Sequence, residues 1–91
     1  MLVLDWSEQA KADLLAIVEF IAEDNPDAAE ALGDEIEEKA IKLLQHPKLY
    51  KAGRVKGTRE LVVRPNYVMV YAIKDESINI LRVLHAAQQW P

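Results

Sequence analysis

The chain of 91 residues contains no cysteine, which excludes disulfides, thiolate metal clusters and a cysteine nucleophile. It has no apolar run of about eighteen residues, and its first residues, MLVLDWSEQA, place no basic segment before an apolar one. We therefore expect neither a membrane span nor a secretory signal. Together these absences are typical of a cytoplasmic protein.

Motifs for common cofactors are also missing. GRVKG (53–57) has two glycines but lacks the spacing and the following helix of a phosphate-binding loop. His46 and His85 have no partner three or four positions away, so the histidines do not form a zinc motif. We expect no metal and no other cofactor.

Composition predicts one globular domain over residues 1–91. Apolar residues make up 51% and charged residues 29% of the chain, which is a globular balance and not a disordered one. A chain of this length has no room for a second hydrophobic core.

Charge is divided unevenly between the two halves of the chain. Residues 1–47 carry three lysines and no arginine against twelve acids, a net −9, whereas residues 48–91 carry eight basic residues against three acids, a net +5. Segregation of this kind is typical of a protein that directs one face at an anionic partner. The alternative is that the two halves neutralise each other within the fold, and the sequence leaves both interpretations open.

Two amphipathic helices are predicted near the start, after a short edge strand at LVLD (2–5). Ser7 is placed to cap the first helix, and Asn25 followed by Pro26 is placed to begin the second. The second helix is expected to end at His46, because Pro47 disfavours a helical residue before it. The first helix has an apolar stripe at Leu14, Ile17, Val18 and Ile21.

Three strands are predicted after a basic loop at 48–58. They occupy residues 59–64, 67–73 and 78–85, separated by a Pro-Asn turn and by KDES (74–77). The order β-α-α-β-β-β predicts an α+β fold, in which a helical hairpin packs on one face of a small antiparallel sheet.

A basic and aromatic cluster lies on the strands and at their ends. Cations there suit phosphates, and an exposed tryptophan suits a base or another flat surface. The candidates for contact with a target or with nucleic acid are Lys51, Arg54, Lys56, Arg82, Gln88 and Trp90.

Cleavage of RNA would need an acid or base and a phosphate clamp. His85 or Glu60 is a candidate for the first role, and Arg59 or Arg64 for the second. Each of these residues also has a structural alternative, as a cross-strand ion pair or as part of the core's edge.

The chain resembles the RelE/ParE superfamily of toxins from bacterial type II toxin–antitoxin modules, which include plasmid-stabilising systems. The resemblance covers nearly the whole chain, through NPDAAEAL at the helical hairpin, HPKLYKAGRVKGTRELVVRPNYVMVYAI entering the sheet and ILRVLHAAQQWP at the end. It implies a cognate antitoxin whose flexible segment wraps the toxin in a hetero-oligomer. It also implies one of two targets: ParE-like members poison DNA gyrase, whereas RelE-like members cut mRNA in the ribosomal A site.

Between these branches we favour the gyrase poison. RelE-like nucleases are usually strongly basic, whereas this chain has a pI near 5.1. Ala86 and Ala87 follow His85 where a nuclease is expected to have a reactive group. Many relatives have arginine in place of Ala72 or Ala87. If these alanines are natural, nuclease activity is disfavoured; if one was introduced so that a toxic protein could be expressed, it marks a residue essential for toxicity. Whether the protein is an enzyme is left open.

Overall fold

The fold is described for residues 2–90 by a computed structural model, in which two helices and four strands follow the predicted order β-α-α-β-β-β. The elements are β1 (Val3–Trp6), α1 (Glu8–Ala22), α2 (Pro26–Lys42), β2 (Arg59–Arg64), β3 (Tyr67–Lys74) and β4 (Ser77–His85). The α+β class is confirmed, and the strand bounds agree with prediction to within one residue. Within residues 2–90, neither helix combines the length and apolarity required to cross a membrane.

Both predicted caps are confirmed. Ser7 Oγ accepts a hydrogen bond from Ala10 N at 3.0 Å, and Asn25 Oδ1 accepts one from Ala28 N at 3.1 Å. These bonds satisfy amides that have no partner within the first turn of a helix. Ser7 Oγ also donates to Leu81 O at 3.0 Å, so the start of α1 is attached to the last strand.

The predicted end of α2 at His46 is wrong, because the helix stops at Lys42. Leu43 N and Leu44 N bond to the carbonyls of Ala40 and Ile41, three positions back instead of four. This tighter spacing closes the last turn of many helices and satisfies carbonyls that would otherwise have no partner. The residues before Pro47 therefore form a turn.

The sheet has the order β1-β4-β3-β2. The β2–β3 and β3–β4 pairs are antiparallel, as expected, but β1 pairs with β4 in parallel, from Val3 opposite Ser77 to Trp6 opposite Ile80. The sheet is therefore mixed, and β1 is the edge strand that the sequence predicted. A parallel pair needs a long crossover connection, which the two helices and two intervening strands provide.

The main core lies between the helical hairpin and one face of the sheet. A bulge in β4 shapes that face: Tyr71 lies opposite Ile80 and Val70 opposite Arg82, which leaves Leu81 as the extra residue. Ile80 and Val83 therefore both enter the core although they are three positions apart. The fully buried members that join the layers include Leu32, Ile36, Ala40, Leu43, Met69, Tyr71, Ile78 and Ile80.

Candidate functional site

One row of side chains crosses the sheet where β3 begins and β4 ends. Arg64 is paired with Tyr67, and Tyr67 with His85. The Tyr67 and His85 rings meet edge to face, with centroids 5.7 Å apart at an interplanar angle of 81°. Two of the four residues considered for a nuclease, Arg64 and His85, therefore share a row, with Tyr67 between them.

Arg59, the other arginine considered as a phosphate clamp, lies at the opposite end of β2, where it is paired with Tyr71. It is five positions along the strand from Arg64, a distance of roughly 17 Å. Arg59 Nη1 donates to Tyr50 O at 2.7 Å and to Lys48 O at 3.3 Å. Its guanidinium therefore holds the loop before β2.

Arg64 is paired with an acid on α2. Its Nη2 and Nε donate to Glu35 Oε1 at 2.9 and 3.1 Å. These hydrogen bonds lower the pKa of the Glu35 carboxyl, against a smaller opposing effect of desolvation. The pair ties α2 to the end of β2.

Arg82 is paired with Asp13 of α1 in a fork, with Nε to Oδ2 at 2.7 Å and Nη2 to Oδ1 at 3.1 Å. Asp13 Oδ2 also accepts Val83 N at 3.0 Å, on a part of β4 beyond its pairing with β1. Desolvation alone would raise the pKa of Asp13, but the hydrogen bonds from Arg82, Val83 and Gln9 outweigh it and the pKa is lowered. Its hydrogen bond to Asp13 in turn raises the pKa of Arg82.

Arg54 connects the basic loop to the end of the chain. Its backbone N donates to Glu60 Oε2 at 2.8 Å, and its Nε lies 3.3 Å from the same oxygen. Its Nη1 donates to Gln88 O at 3.3 Å. The Glu60 side chain is 8% exposed, so this candidate acid or base is enclosed by the loop that it holds.

His85 is exposed, and its ring is oriented by the turn that follows it. Nδ1 accepts a hydrogen bond from Ala87 N at 3.2 Å, so the neutral ring carries its proton on Nε2. That tautomer presents a donor at Nε2 and not a base. The side chain of Ala87 contributes no acid–base group, and Ala72 lies within β3 opposite Asn79.

A cleft of about 290 Å³ adjoins the row, between α1 and the strand ends. Tyr67, His85 and Gln88 line one side, and Ile17 and Phe20 line the other. Phe20 is 70% exposed. Tyr67 and Phe20 were not predicted as site residues. The available signal for Tyr67 was an aromatic residue directly after the Pro-Asn turn.

The basic loop and the C-terminal tail, which are joined by the Arg54–Gln88 hydrogen bond, form a second surface. We call it the loop–tail surface and define it as Lys51, Arg54, Lys56, Gln88 and Trp90. Both lysines are exposed, and a cleft of about 460 Å³ lies between Arg54 and residues 86–90. Three of the six residues predicted to contact a target, Arg54, Gln88 and Trp90, therefore line one cleft. Lys51 and Lys56 lie on the same loop as Arg54, and Arg82 contacts the Trp90 ring.

Trp90 is half-buried, with its ring centroid 5.7 Å from the Arg82 guanidinium carbon. Its Nε1 is buried and has no acceptor among the described residues. The tail before it is held by Ala86 N, which donates to Asn66 O at 2.8 Å, and by the Arg54–Gln88 bond. Within residues 2–90, no cluster of three or more His, Asp or Glu side chains is placed to hold a metal ion.

Comparison with known proteins gives concordant matches over almost the whole chain. The sequence model of the family described as ParE toxin of type II toxin-antitoxin system, parDE, matches residues 4–90. The predicted toxin Y4kP of Sinorhizobium fredii is 38% identical over 87 residues, covering 94% of this chain and 90% of that protein. Toxin RelE2 of Caulobacter vibrioides is 36% identical over 85 residues, covering 91% and 93%.

A solved structure is also similar. The chromosomal ParDE toxin–antitoxin system from P. aeruginosa contains a chain that superposes with a TM-score of 0.84 at 26% identity. The superposition covers 93% of this chain and 96% of that one.

Proposed function

Because the chain belongs to the ParE toxin family of type II toxin–antitoxin systems, we propose that it arrests growth by binding and trapping DNA gyrase. A cognate antitoxin would neutralise it. The choice of target goes beyond family membership, since one fold can serve several activities. It rests on whether the arginines are free to bind a phosphate or are already bonded within the protein.

Every arginine is engaged by the protein's own acceptors. The guanidinium groups of Arg54 and Arg82 bond to Glu60 and Asp13, that of Arg64 bonds to Glu35, and that of Arg59 bonds to two loop carbonyls. A phosphate clamp needs donors that are oriented toward the substrate before it binds. Here the guanidinium charges of Arg54, Arg64 and Arg82 are already paired with acids of the fold, and Arg59 is engaged by the loop. An RNA phosphate would therefore meet partly neutralised groups that are oriented toward other partners, and this observation carries our preference for a binding toxin over a nuclease.

Target contact is assigned to the loop–tail surface. Lys51 and Lys56 are exposed cations on the loop that carries Arg54, and Trp90 offers part of a large flat side chain in the cleft that Arg54 lines. Aromatic anchors surrounded by charged residues are typical of surfaces that bind a protein partner tightly. This combination supports recognition of a protein target without bond cleavage.

The antitoxin is proposed to approach with complementary charge. The half of the chain that forms β1, α1 and α2 has a net charge of −9, so a basic amphipathic segment would be attracted to it. The similar P. aeruginosa structure is itself a toxin–antitoxin system. A complex with this chain should therefore weaken as salt concentration rises.

The second candidate is a ribosome-dependent mRNA endoribonuclease. One observation favours it: Arg64, Tyr67 and His85 form a row beside a cleft. In that case His85 would have to take up a second proton, and the resulting imidazolium would transfer a proton from Nε2 to the leaving oxygen. Arg64 would have to turn one of its remaining N–H groups from Glu35 toward a phosphate. Such a nuclease would lose its activity on His85→Ala substitution.

Purified toxin can be tested on both targets in parallel. The first reaction contains gyrase, ATP and supercoiled plasmid, and it is scored for cleaved DNA bound covalently to protein. The second contains programmed ribosomes and end-labelled mRNA, and it is scored for cleavage within codons. We expect trapped gyrase–DNA complexes and intact mRNA.

The double variant Lys51→Ala, Lys56→Ala should raise the toxin concentration needed to trap gyrase by roughly tenfold, which corresponds to about 1.4 kcal/mol. Lys74→Ala, an exposed lysine at the far end of β3, is the matched control and should behave like the wild type. Codon-spaced mRNA cleavage that disappears in His85→Ala, with gyrase unaffected, would replace the gyrase proposal by the nuclease.

A further inference from the structure

Glu60 is a buried acid that is not among the residues proposed to contact the target. Its side chain is 8% exposed, and it lies on β2 opposite Val70, which is fully buried. Carboxylates are seldom buried unless they are paired, because leaving water is costly for the charged form. The partners of Glu60 therefore indicate why it is there.

Those partners lie on one residue of the loop. Glu60 Oε2 accepts the backbone N of Arg54 at 2.8 Å, and its two oxygens lie 3.3 and 3.4 Å from Arg54 Nε. The far end of the same guanidinium donates to Gln88 O at 3.3 Å. Glu60, Arg54 and Gln88 thus form a continuous chain of contacts from the sheet through the loop to the tail.

The loop backbone is also held close to β2. Glu60 N donates to Lys51 O at 3.2 Å, and Gly53 N donates to Thr58 O at 2.8 Å. A Cβ atom at Gly53 would overlap Thr58 Oγ1 and lie 3.3 Å from the Glu60 side chain. Only glycine allows the backbone to approach this closely, so the loop backbone around Gly53 is held against the start of β2.

We propose that Glu60 is a positioning residue that acts through Arg54 to lock the basic loop and the C-terminal tail into one preorganised loop–tail surface. A surface held in its bound shape loses less conformational entropy when it meets its partner. The role of this surface in target contact rests on the proposed function. The coupling itself is a property of the isolated protein and can be measured without any target.

The coupling is read from the two indole N–H resonances of 15N-labelled protein. Glu60→Gln keeps the size of the side chain and removes its charge. We expect it to shift the Trp90 indole resonance and to speed its exchange with water at least fivefold. The Trp6 indole, in β1, should change less than twofold and so reports that the fold is intact.

Glu76→Gln is the matched control, because Glu76 is an exposed acid in the turn before β4. It should leave both indoles unchanged. Arg54→Ala removes the link from the loop side and should have the same effect on Trp90 as Glu60→Gln, which provides a second variant if Glu60→Gln does not fold. An unchanged Trp90 resonance in the folded variants would overturn the coupling.

The link to the target is tested by a double-mutant cycle on gyrase trapping. Glu60→Gln should raise the toxin concentration needed about fivefold in the wild-type background and less than twofold in a Trp90→Ala background. Equal effects in both backgrounds would overturn the positioning role, because Glu60 would then act independently of the tail. If wild-type protein traps no gyrase, the proposed target is wrong, and the indole measurements still decide whether Glu60 holds the tail.

Discussion

Replacing Asp13 by asparagine should destabilise the protein more than any substitution of an exposed acid. The change removes the charge that accepts Arg82 at 2.7 and 3.1 Å, while the side chains of the pair are only 10% and 21% exposed. It also sets a neutral amide against Val83 N. Hydrogen bonds to charged groups contribute about 1.5–3 kcal/mol each, and removing one partner of a buried pair costs about 3–5 kcal/mol.

Since the pair is partly solvated, we expect a loss of about 2–3 kcal/mol. A chain of this length has a total stability of about 5–14 kcal/mol, so the variant should unfold at clearly lower urea concentration. The double variant Asp13→Asn, Arg82→Met should recover at least half of the loss, because no unpaired buried charge then remains.

The effect should also depend on pH in a defined direction. The pKa of Asp13 is lowered in the folded state, below its unfolded value of about 3.9. The stabilisation is therefore complete above about pH 4 and is lost as the pH falls through the folded pKa. The stability gap between wild type and Asp13→Asn should be constant near neutrality and should narrow in acid.

Urea unfolding followed by far-UV circular dichroism, repeated from pH 7 to pH 3, measures both quantities. Asp34→Asn, an exposed acid on α2, is the control and should change stability by no more than about 0.5 kcal/mol. Equal midpoints for wild type and Asp13→Asn at pH 7 would refute the assigned role of the ion pair. A gap that widened in acid would refute the sign of the pKa shift.

Three further predictions concern stability, each measured by thermal unfolding. Gly53→Ala should lower the free energy of unfolding by about 1–3 kcal/mol, because the new methyl group would overlap the hydroxyl of Thr58. By contrast, the methyl group of Gly33→Ala would meet only an ordinary contact with Val18, so this variant should be neutral or more stable by up to about 1 kcal/mol. Tyr71→Phe should cost about 1–2 kcal/mol, since it leaves the carbonyl of Pro47 without its 2.8 Å donor. Ser7→Ala should cost about 1–2 kcal/mol through the lost cap, and an unchanged melting temperature for any of the destabilising variants would contradict the contact assigned to it.

Local signals in the sequence predicted the elements well. Ser7 and Asn25 were identifiable as caps because the chemistry of a helix start involves neighbours three positions apart. The end of α2 was misplaced because Pro47 limits where a helix must stop, but it does not specify where hydrogen bonding first tightens. The parallel pairing of β1 depends on where the chain returns, which local patterns do not contain.

The candidate site was harder to predict. The sequence shows that basic residues are concentrated in the second half of the chain, but pairing across 69 positions, as in Arg82 with Asp13, has no local signature. An arginine that is available to a ligand and one that is bound by the fold are identical in sequence. The separation of Arg59 from the row of Arg64 and His85 likewise follows from strand register, which only the assembled sheet reveals.

The parallel pairing of β1 with β4 has a consequence for biosynthesis. Ser7 and Leu81, which are joined by a hydrogen bond, are 74 positions apart, and translation at about 5–20 residues per second separates their appearance by roughly 4–15 s. During that interval the nascent chain has neither a partner for its first strand nor the carbonyl that fixes the start of α1. Contacts of this sequence separation also form slowly, because a long loop must close first. The sheet can therefore be completed only after β4 has been synthesised, however early the helices form.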